Sequence, residues 1–390
     1  SVGYNSLGFD DEFLRFLFYR NLLDPYTHQY KNNCSRMDIL PITVLFRLFH
    51  PESVIWPEID GRPSLKLEHI SKANRLETSG RAHEAMSDVE ALVGLSRLLM
   101  KKKEAWNYGL GFFNKQRDEI QISQFKTVCD VGQHSYLTGL MASVSLGPES
   151  NYLAPVLCIG PSSTYSNQRL WVRLDADDIL GRDEDAGVED TYVIRKRFGD
   201  IPVLLPSLDR FRARLTAHSQ DSARENMALI QNNIDAFQLL ADYHRNFKYP
   251  YLPDIDPDAA LYQEGFFSAQ ETKDAMIFHQ ADDNEKLSVL QQIQSRRVQK
   301  LACRILSRSF EGFSGLDEDF MSHLDRLGSK DTADRIVGYR NDIKLNGWQA
   351  RDELAAVCSG IDDLNEQQQK MVVWLTQRIE RFIGPNANTD

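Results

Sequence analysis

The sequence predicts a three-part protein: an α/β block, a small β-rich block and a long helical block. Three observations predict it. Apolar residues recur at three- and four-residue spacing through the first hundred positions. Between about 125 and 210 the texture changes to short alternating or β-branched runs separated by Gly, Pro, Ser and Asn. After the proline-rich stretch YPYLPDIDPDA (249–259), residues 268–383 are rich in Gln, Leu and charge and read as helix almost throughout.

Taken in order, residues 9–23 read as a helix on Phe9, Phe13, Leu14, Phe16 and Leu17, ended by Asp24-Pro25. A second helix is expected over roughly 37–49, with Pro41 limiting how early it starts. Others follow at 64–74 and from about 82 to 103, where Lys101–Lys103 marks a solvated end that complements the helix dipole. SYLTGLMASVSL, YLAPVLCIG, QRLWVRLD and YVIRKRFGDIPVLLP read as strands of a small antiparallel barrel or sheet, with 175–190 as an exposed acidic loop. Residues 222–245 return to helix.

At 390 residues more than one domain is expected, and a net charge of −11 excludes a uniformly basic nucleic-acid binder without excluding a local basic channel. Five scattered cysteines with no C-x-x-C argue against a disulfide framework or a zinc knuckle and fit a reducing cytoplasm. No apolar run approaches the roughly 20 residues of a membrane span, and no signal peptide is recognisable.

The acids raise the chemical question. On a helix, Asp10 shares a face with Phe13, Leu14 and Leu17, so it extends an apolar stripe toward the core, while Asp11 faces Arg15 as a solvated pair. Helix-start acids favourable to the dipole by roughly 0.3–1 kcal/mol explain Asp11 and Glu12. They explain an inward Asp10 less well, because a buried carboxylate needs a metal or a cation. Asp88 repeats the device at the head of a stripe through Leu92, Leu95 and Leu99, with His83 five residues upstream. A helix-start or surface histidine is the plain alternative for His83. The set of two such acids and a histidine equally fits a hydrolytic site in which carboxylates hold divalent ions and the histidine deprotonates water. Arg195 and Arg197, in RKRF, and the RLWVR run interleave basic and aromatic residues. They fit either single-stranded nucleic acid or an exposed strand face. Tyr19, Tyr26 and Tyr30 fit base stacking or ordinary packing.

GYNSLGFDDEFLR and AHEAMSDVEA resemble the second and third motifs of the DEDD exonuclease superfamily, histidine subtype (H-x4-D). With FYRNLLDPY, VIWPEIDGRPSLKLEHISKAN and DAALYQEGFFSAQE, the chain resembles the bacterial exodeoxyribonuclease I family over nearly its whole length. The resemblance implies an RNase H-like α/β exonuclease domain (1–104), an SH3-like β domain (105–248) and a helical domain (258–385). It implies 3′→5′ hydrolysis of single-stranded DNA to 5′-mononucleotides with two Mg²⁺ ions, Mn²⁺ being an alternative. Carried over, Asp10 and Asp88 are metal ligands, His83 is the general base, and Asn5 and Lys66 lie near the substrate strand. A single-stranded-DNA-binding protein is the implied partner, and the expected state is a monomer away from membranes.

The family's first motif, D-x-E on a strand, has no counterpart: the three D-x-E triplets, at Asp10, Asp88 and Asp283, follow no apolar strand. The exonuclease domain is therefore expected to be an N-terminally truncated piece of a longer enzyme, with little activity by itself. A non-catalytic single-stranded-DNA-binding or scaffold protein is the rival reading, and an exoribonuclease is the rival substrate class.

Overall fold

The computed structural model describes residues 1–383 apart from 31–32, 77–84, 182–190, 310–317, 332–333, 335 and 362–363. The chain divides into two compact units, one of residues 1–11 and 28–249, the other of 12–27 and 250–390.

In the first unit, β1 (Val2–Gly3) pairs in parallel with β2 (Met37–Asp38). Helix α1 (Asp10–Arg20) begins in this unit, and the short α2 (Thr27–Tyr30) follows it in the chain. Helix α3 (Ile39–Phe49) is buried along nearly its whole length, so it needs no amphipathic pattern. It starts at Asp38, whose carboxylate accepts from Leu40 N, and Pro41 sits in its first turn, where no amide partner is lost. The hairpin β3 (Glu58–Ile59) and β4 (Arg62–Pro63) turns on Asp60-Gly61, both at positive φ, a local Asp-Gly signal for a tight hairpin. Helices α4 (Leu67–Asn74), α5 (Ala85–Leu99), α6 (Lys103–Gly111) and α7 (Lys115–Ser123) complete the helical part. The last two were not anticipated: Lys101–Lys103 closes one helix and opens the next.

The β-rich expectation holds. Strands β5 (Val128–Val131), β6 (His134–Ala142), β7 (Leu153–Pro161), β8 (Gln168–Arg173), β9 (Val193–Arg197) and β10 (Val203–Pro206) form one antiparallel sheet. Its order is β10-β6-β7-β8-β9, with β5 also on β6. The stretch after β8 is not all exposed loop: Ala176, Ile179 and Leu180 are buried with Leu174 and Phe237, and 182–190 lie outside the described residues. Helices α8 (Asp209–Arg212), α9 (Ala217–Asn232) and α10 (Ile234–Asn246) follow, the last two packing on the sheet.

One ion pair is sealed inside this unit. Lys196 Nζ on β9 lies 2.7 Å from Asp118 Oδ2 on α7, both side chains fully buried. Gly199 N donates to the same carboxylate oxygen (2.8 Å), and Lys196 Nζ also donates to the Asp200 carbonyl. Burial pushes Asp118 up and Lys196 down, each toward its neutral form, and their mutual attraction opposes both shifts.

The second unit holds the remainder of α1 with α11 (Leu261–Glu264), α12 (Ala269–Gln280), α13 (Lys286–Gln292), α14 (Arg296–Ser309) and α15 (Glu318–Gly328). A small hairpin of β11 (Ile336–Val337) and β12 (Ile343–Lys344) precedes α16 (Gly347–Ser359) and α17 (Glu366–Ile383). Its core gathers Tyr19, Leu22, Phe278, Val298, Leu301 and Leu306, so Tyr19 is packing. Helices α12 and α16 open with capping boxes, Ser268/Glu271 and Asn346/Gln349. The linker expected at 249–259 is partly built in: Asp256 is buried, 3.2 Å from Arg304 Nη2 and 3.4 Å from His323 Nδ1. Among the described residues no helix is long and apolar enough to cross a membrane.

Candidate nuclease site

Helix α3 supports both candidate acids. Its body packs Ile39, Ile42 and Phe46 against Leu95 and Leu99 of α5, which carries Asp88 in its first turn. Its capping residue Asp38 organises the segment leading into α1: Asn5 N donates to Oδ1 (2.8 Å) and Leu7 N to Oδ2 (3.1 Å). Asn5 is left-handed (φ 63°), and Asp11 N closes the turn onto Ser6 O (2.9 Å). Burial pushes the Asp38 carboxyl above its usual range against those three amides, and the nearby Asp11 charge adds to the rise.

Asp10 does not run into the core: it is exposed, as are Phe13 and Leu17. The buried line of α1 is Asp11, Arg15 and Tyr19. Asp11, 4% exposed, is held by Arg36 Nη1, with His28 Nε2 at 3.3 Å and Gln29 Nε2 at 3.4 Å. Arg36 reaches with its other nitrogen to Asp200 Oδ2 (3.3 Å) beyond β9. Asp88 is likewise exposed, one position off the buried line of Ser87, Ala91, Leu95 and Leu99. The physical reason is the same in both helices: adjacent residues differ by about 100°, and the position that turned inward found partners there. The consequence favours chemistry, because an exposed carboxylate can be reached by an ion. Among the described residues neither Asp10 nor Asp88 has an ion-pair partner.

Asn5 and Lys66 are exposed, and their segments meet where Tyr4 Oη donates to the Leu65 carbonyl. His83 lies outside the described residues. Among the described residues no three His, Cys, Asp or Glu side chains form a group able to hold a metal ion. Arg195 and Arg197 alternate with the buried Lys196 along β9. Arg195 is engaged, its Nη2 3.0 Å from His244 Nδ1 and its guanidinium 4.3 Å from the Phe247 ring, whereas Arg197 is exposed. Sequence reasoning passed over Asp38 and Arg36. An acid just before an apolar helical run is a cap signal that would have found Asp38. Nothing local marks Arg36.

No family model matches the chain. It is 26% identical to exodeoxyribonuclease I of Escherichia coli K12 over 377 residues, covering 90% of this chain and 75% of that protein. The Haemophilus influenzae exodeoxyribonuclease I is 28% identical over 74% of this chain and 62% of its own length. Among solved structures, E. coli exonuclease I in complex with a 5cy-dT13 oligonucleotide matches with a TM-score of 0.73 at 22% identity, covering 98% of this chain and 80% of that one. Another match, at a TM-score of 0.70 and 22% identity, covering 98% of this chain and 79% of that one, is described as SSB/exonuclease I in complex with the inhibitor CFAM. The fold, a mixed α/β part with a helical C-terminal part, is therefore that of a DNA exonuclease, a class of hydrolase. More narrowly, the chain is a homologue of the bacterial exodeoxyribonucleases I.

Proposed function

We propose that this chain acts on single-stranded DNA from the 3′ end, releasing 5′-mononucleotides, with Asp10 and Asp88 as carboxylate ligands of divalent ions and His83 as general base. The observation that carries the reading is the pair of exposed carboxylates on α1 and α5, without an ion-pair partner among the described residues, within a chain homologous to exodeoxyribonuclease I. Oxygen donors of this kind suit Mg²⁺ or Mn²⁺, and Mg²⁺ is commonly held by one or two carboxylates with waters and substrate phosphate. Such ions would lower the pKa of a bound water and stabilise charge on the phosphate. The chain's own part is to hold Asp10 at the first turn of α1 through the Asp38 and Asp11 contacts, and to offer Asn5, Lys66 and Arg197 to the strand. Arg195, already stacked on Phe247, supports the sheet surface beside it. A single-stranded-DNA-binding protein as partner, a monomeric state and a reducing cytoplasm, which suits five free thiols, complete the proposal.

The test combines Mn²⁺ binding, read by electron paramagnetic resonance, with shortening of a 5′-labelled oligodeoxynucleotide in Mg²⁺. Asp10→Asn and Asp88→Asn are each expected to weaken Mn²⁺ binding at least about tenfold and to lower whatever 3′ shortening the chain performs. Undiminished Mn²⁺ binding in the double variant overturns the metal assignment. Equal shortening of a matched RNA overturns the substrate class.

A further inference from the structure

We propose that Tyr152, just ahead of β7, is a positioning residue for single-stranded DNA: with Tyr4 it fixes the backbone that offers Lys66 to a strand phosphate. This rests on the single-stranded-DNA reading above and deepens the part given there to Lys66.

The backbone at Tyr152 is strained. Asn151 and Tyr152 are consecutive left-handed residues, at φ 54° and 58°. Asparagine tolerates that region, but a bulky residue there is an outlier that persists only where its surroundings over-determine it. They do so here. Tyr152 N donates to Gly147 O (2.9 Å), Ser143 N donates to Tyr152 O (3.1 Å), and Asn151 Nδ2 donates to Arg214 O (2.9 Å). Tyr152 is 4% exposed and shares a core with Val44, Leu65 and Leu153. A core position that needed only bulk would be filled without such strain. The distinguishing feature is the hydroxyl, which crosses to the β3–β4 hairpin and donates to Pro63 O (3.0 Å).

The segment it reaches is held at every residue. Tyr4 Oη donates to Leu65 O. Ser64 N donates to Pro57 O (2.9 Å), and Ser64 Oγ accepts from Lys66 N (3.4 Å) while lying 2.7 Å from His69 Nδ1. Lys66 O accepts from Ile70 N (3.1 Å) at the start of α4. Burial pushes both phenols above their ordinary range, so each stays a donor at neutral pH. At the end of this fixed segment the Lys66 side chain is exposed, and among the described residues its ammonium has no ion-pair partner. A lysine that serves solubility alone needs no such hold on its backbone. A point charge on a flexible stem that must meet a phosphate gains from it, because less freedom is lost on binding. Tyr4 also precedes Asn5, so one hydroxyl couples the two segments assigned to the strand.

The experiment titrates the full chain, in EDTA, into fluorescein-labelled oligothymidylate across a salt series, read by anisotropy. Lys66→Ala is expected to weaken binding and to flatten the salt slope by about 0.7, one phosphate contact on a single strand. Tyr152→Phe keeps the ring and loses the hydroxyl. It is expected to weaken binding about threefold and to flatten the slope in the same sense, and Tyr4→Phe to do likewise. The double variant Tyr152→Phe with Lys66→Ala is expected to bind like Lys66→Ala alone. Losses that multiply in the double variant, or an unchanged slope in both tyrosine variants, overturn the positioning role and leave the single-stranded-DNA reading intact. Unchanged binding by Lys66→Ala overturns the contact and the proposal with it. Failure of the wild type itself to bind overturns the substrate reading.

Discussion

Lys196→Met is expected to destabilise the first unit by about 3–5 kcal/mol, because it leaves Asp118 buried with no countercharge. Removing both charges, as Asp118→Leu with Lys196→Met, is expected to recover most of that loss or exceed it. The pair spends solvation to exist, which is why each partner leans toward its neutral form. Among the described residues Asp118 Oδ1 also has no hydrogen-bond partner, so there the carboxylate is only half satisfied before any mutation. Urea unfolding of the two variants, followed by far-ultraviolet circular dichroism, measures both effects. A Lys196→Met midpoint equal to the wild type would show that the pair contributes nothing.

The second large effect belongs to Asp256. Asp256→Asn is expected to cost the helical unit about 3–5 kcal/mol at pH 7, since it strands the buried Arg304. The wild type should also lose stability in acid. Burial is the largest single influence on Asp256 and raises its pKa, but His323, Arg304 and the Asp258 amide together bring it below the usual carboxylate range. A carboxyl depressed in the folded state stabilises above its unfolded pKa, about 3.9, and that stability drains away as pH falls below it. His323 adds an earlier loss of the same sign. Burial lowers its pKa, so below about pH 6.5 the unfolded chain binds a proton that the folded one resists. Urea midpoints from pH 8 to 3 should therefore fall in the wild type, and the gap to Asp256→Asn should begin to narrow below about pH 4. A gap constant with pH would remove the carboxylate charge from the account.

What the sequence made legible follows the reach of each signal. The β-rich block was readable because alternation is local, and its strands fall between 128 and 206 as expected. Helix α1 was readable too, but not its orientation. The line Asp10, Phe13, Leu17 looks apolar and the line Asp11, Arg15, Tyr19 looks polar, yet the second is buried. Its charges are answered by Arg36, His28 and Tyr262, residues that no periodicity connects to them. Asp88 was displaced for a simpler reason: Ser87 and Ala91, small enough to pack closely, head the buried line instead. The site was thus legible as residues and illegible as surfaces. Helices α6 and α7 were missed because three lysines read as an end, where one helix stops and another starts within four residues.

The Asp38 carboxylate has a consequence for solvent exchange. Asn5 and Leu7 lie in a segment with no regular hydrogen-bond ladder, where amides ordinarily exchange with deuterium almost as fast as in a peptide. Here their protons point at a fully buried oxygen pair that also caps α3. The two amides should therefore exchange slowly and together with Leu40, as one opening unit, and Asp38→Ala should release all three at once in hydrogen-exchange mass spectrometry. Protection confined to Leu40 would mean that the segment ahead of Asp10 opens independently of the helix supporting it.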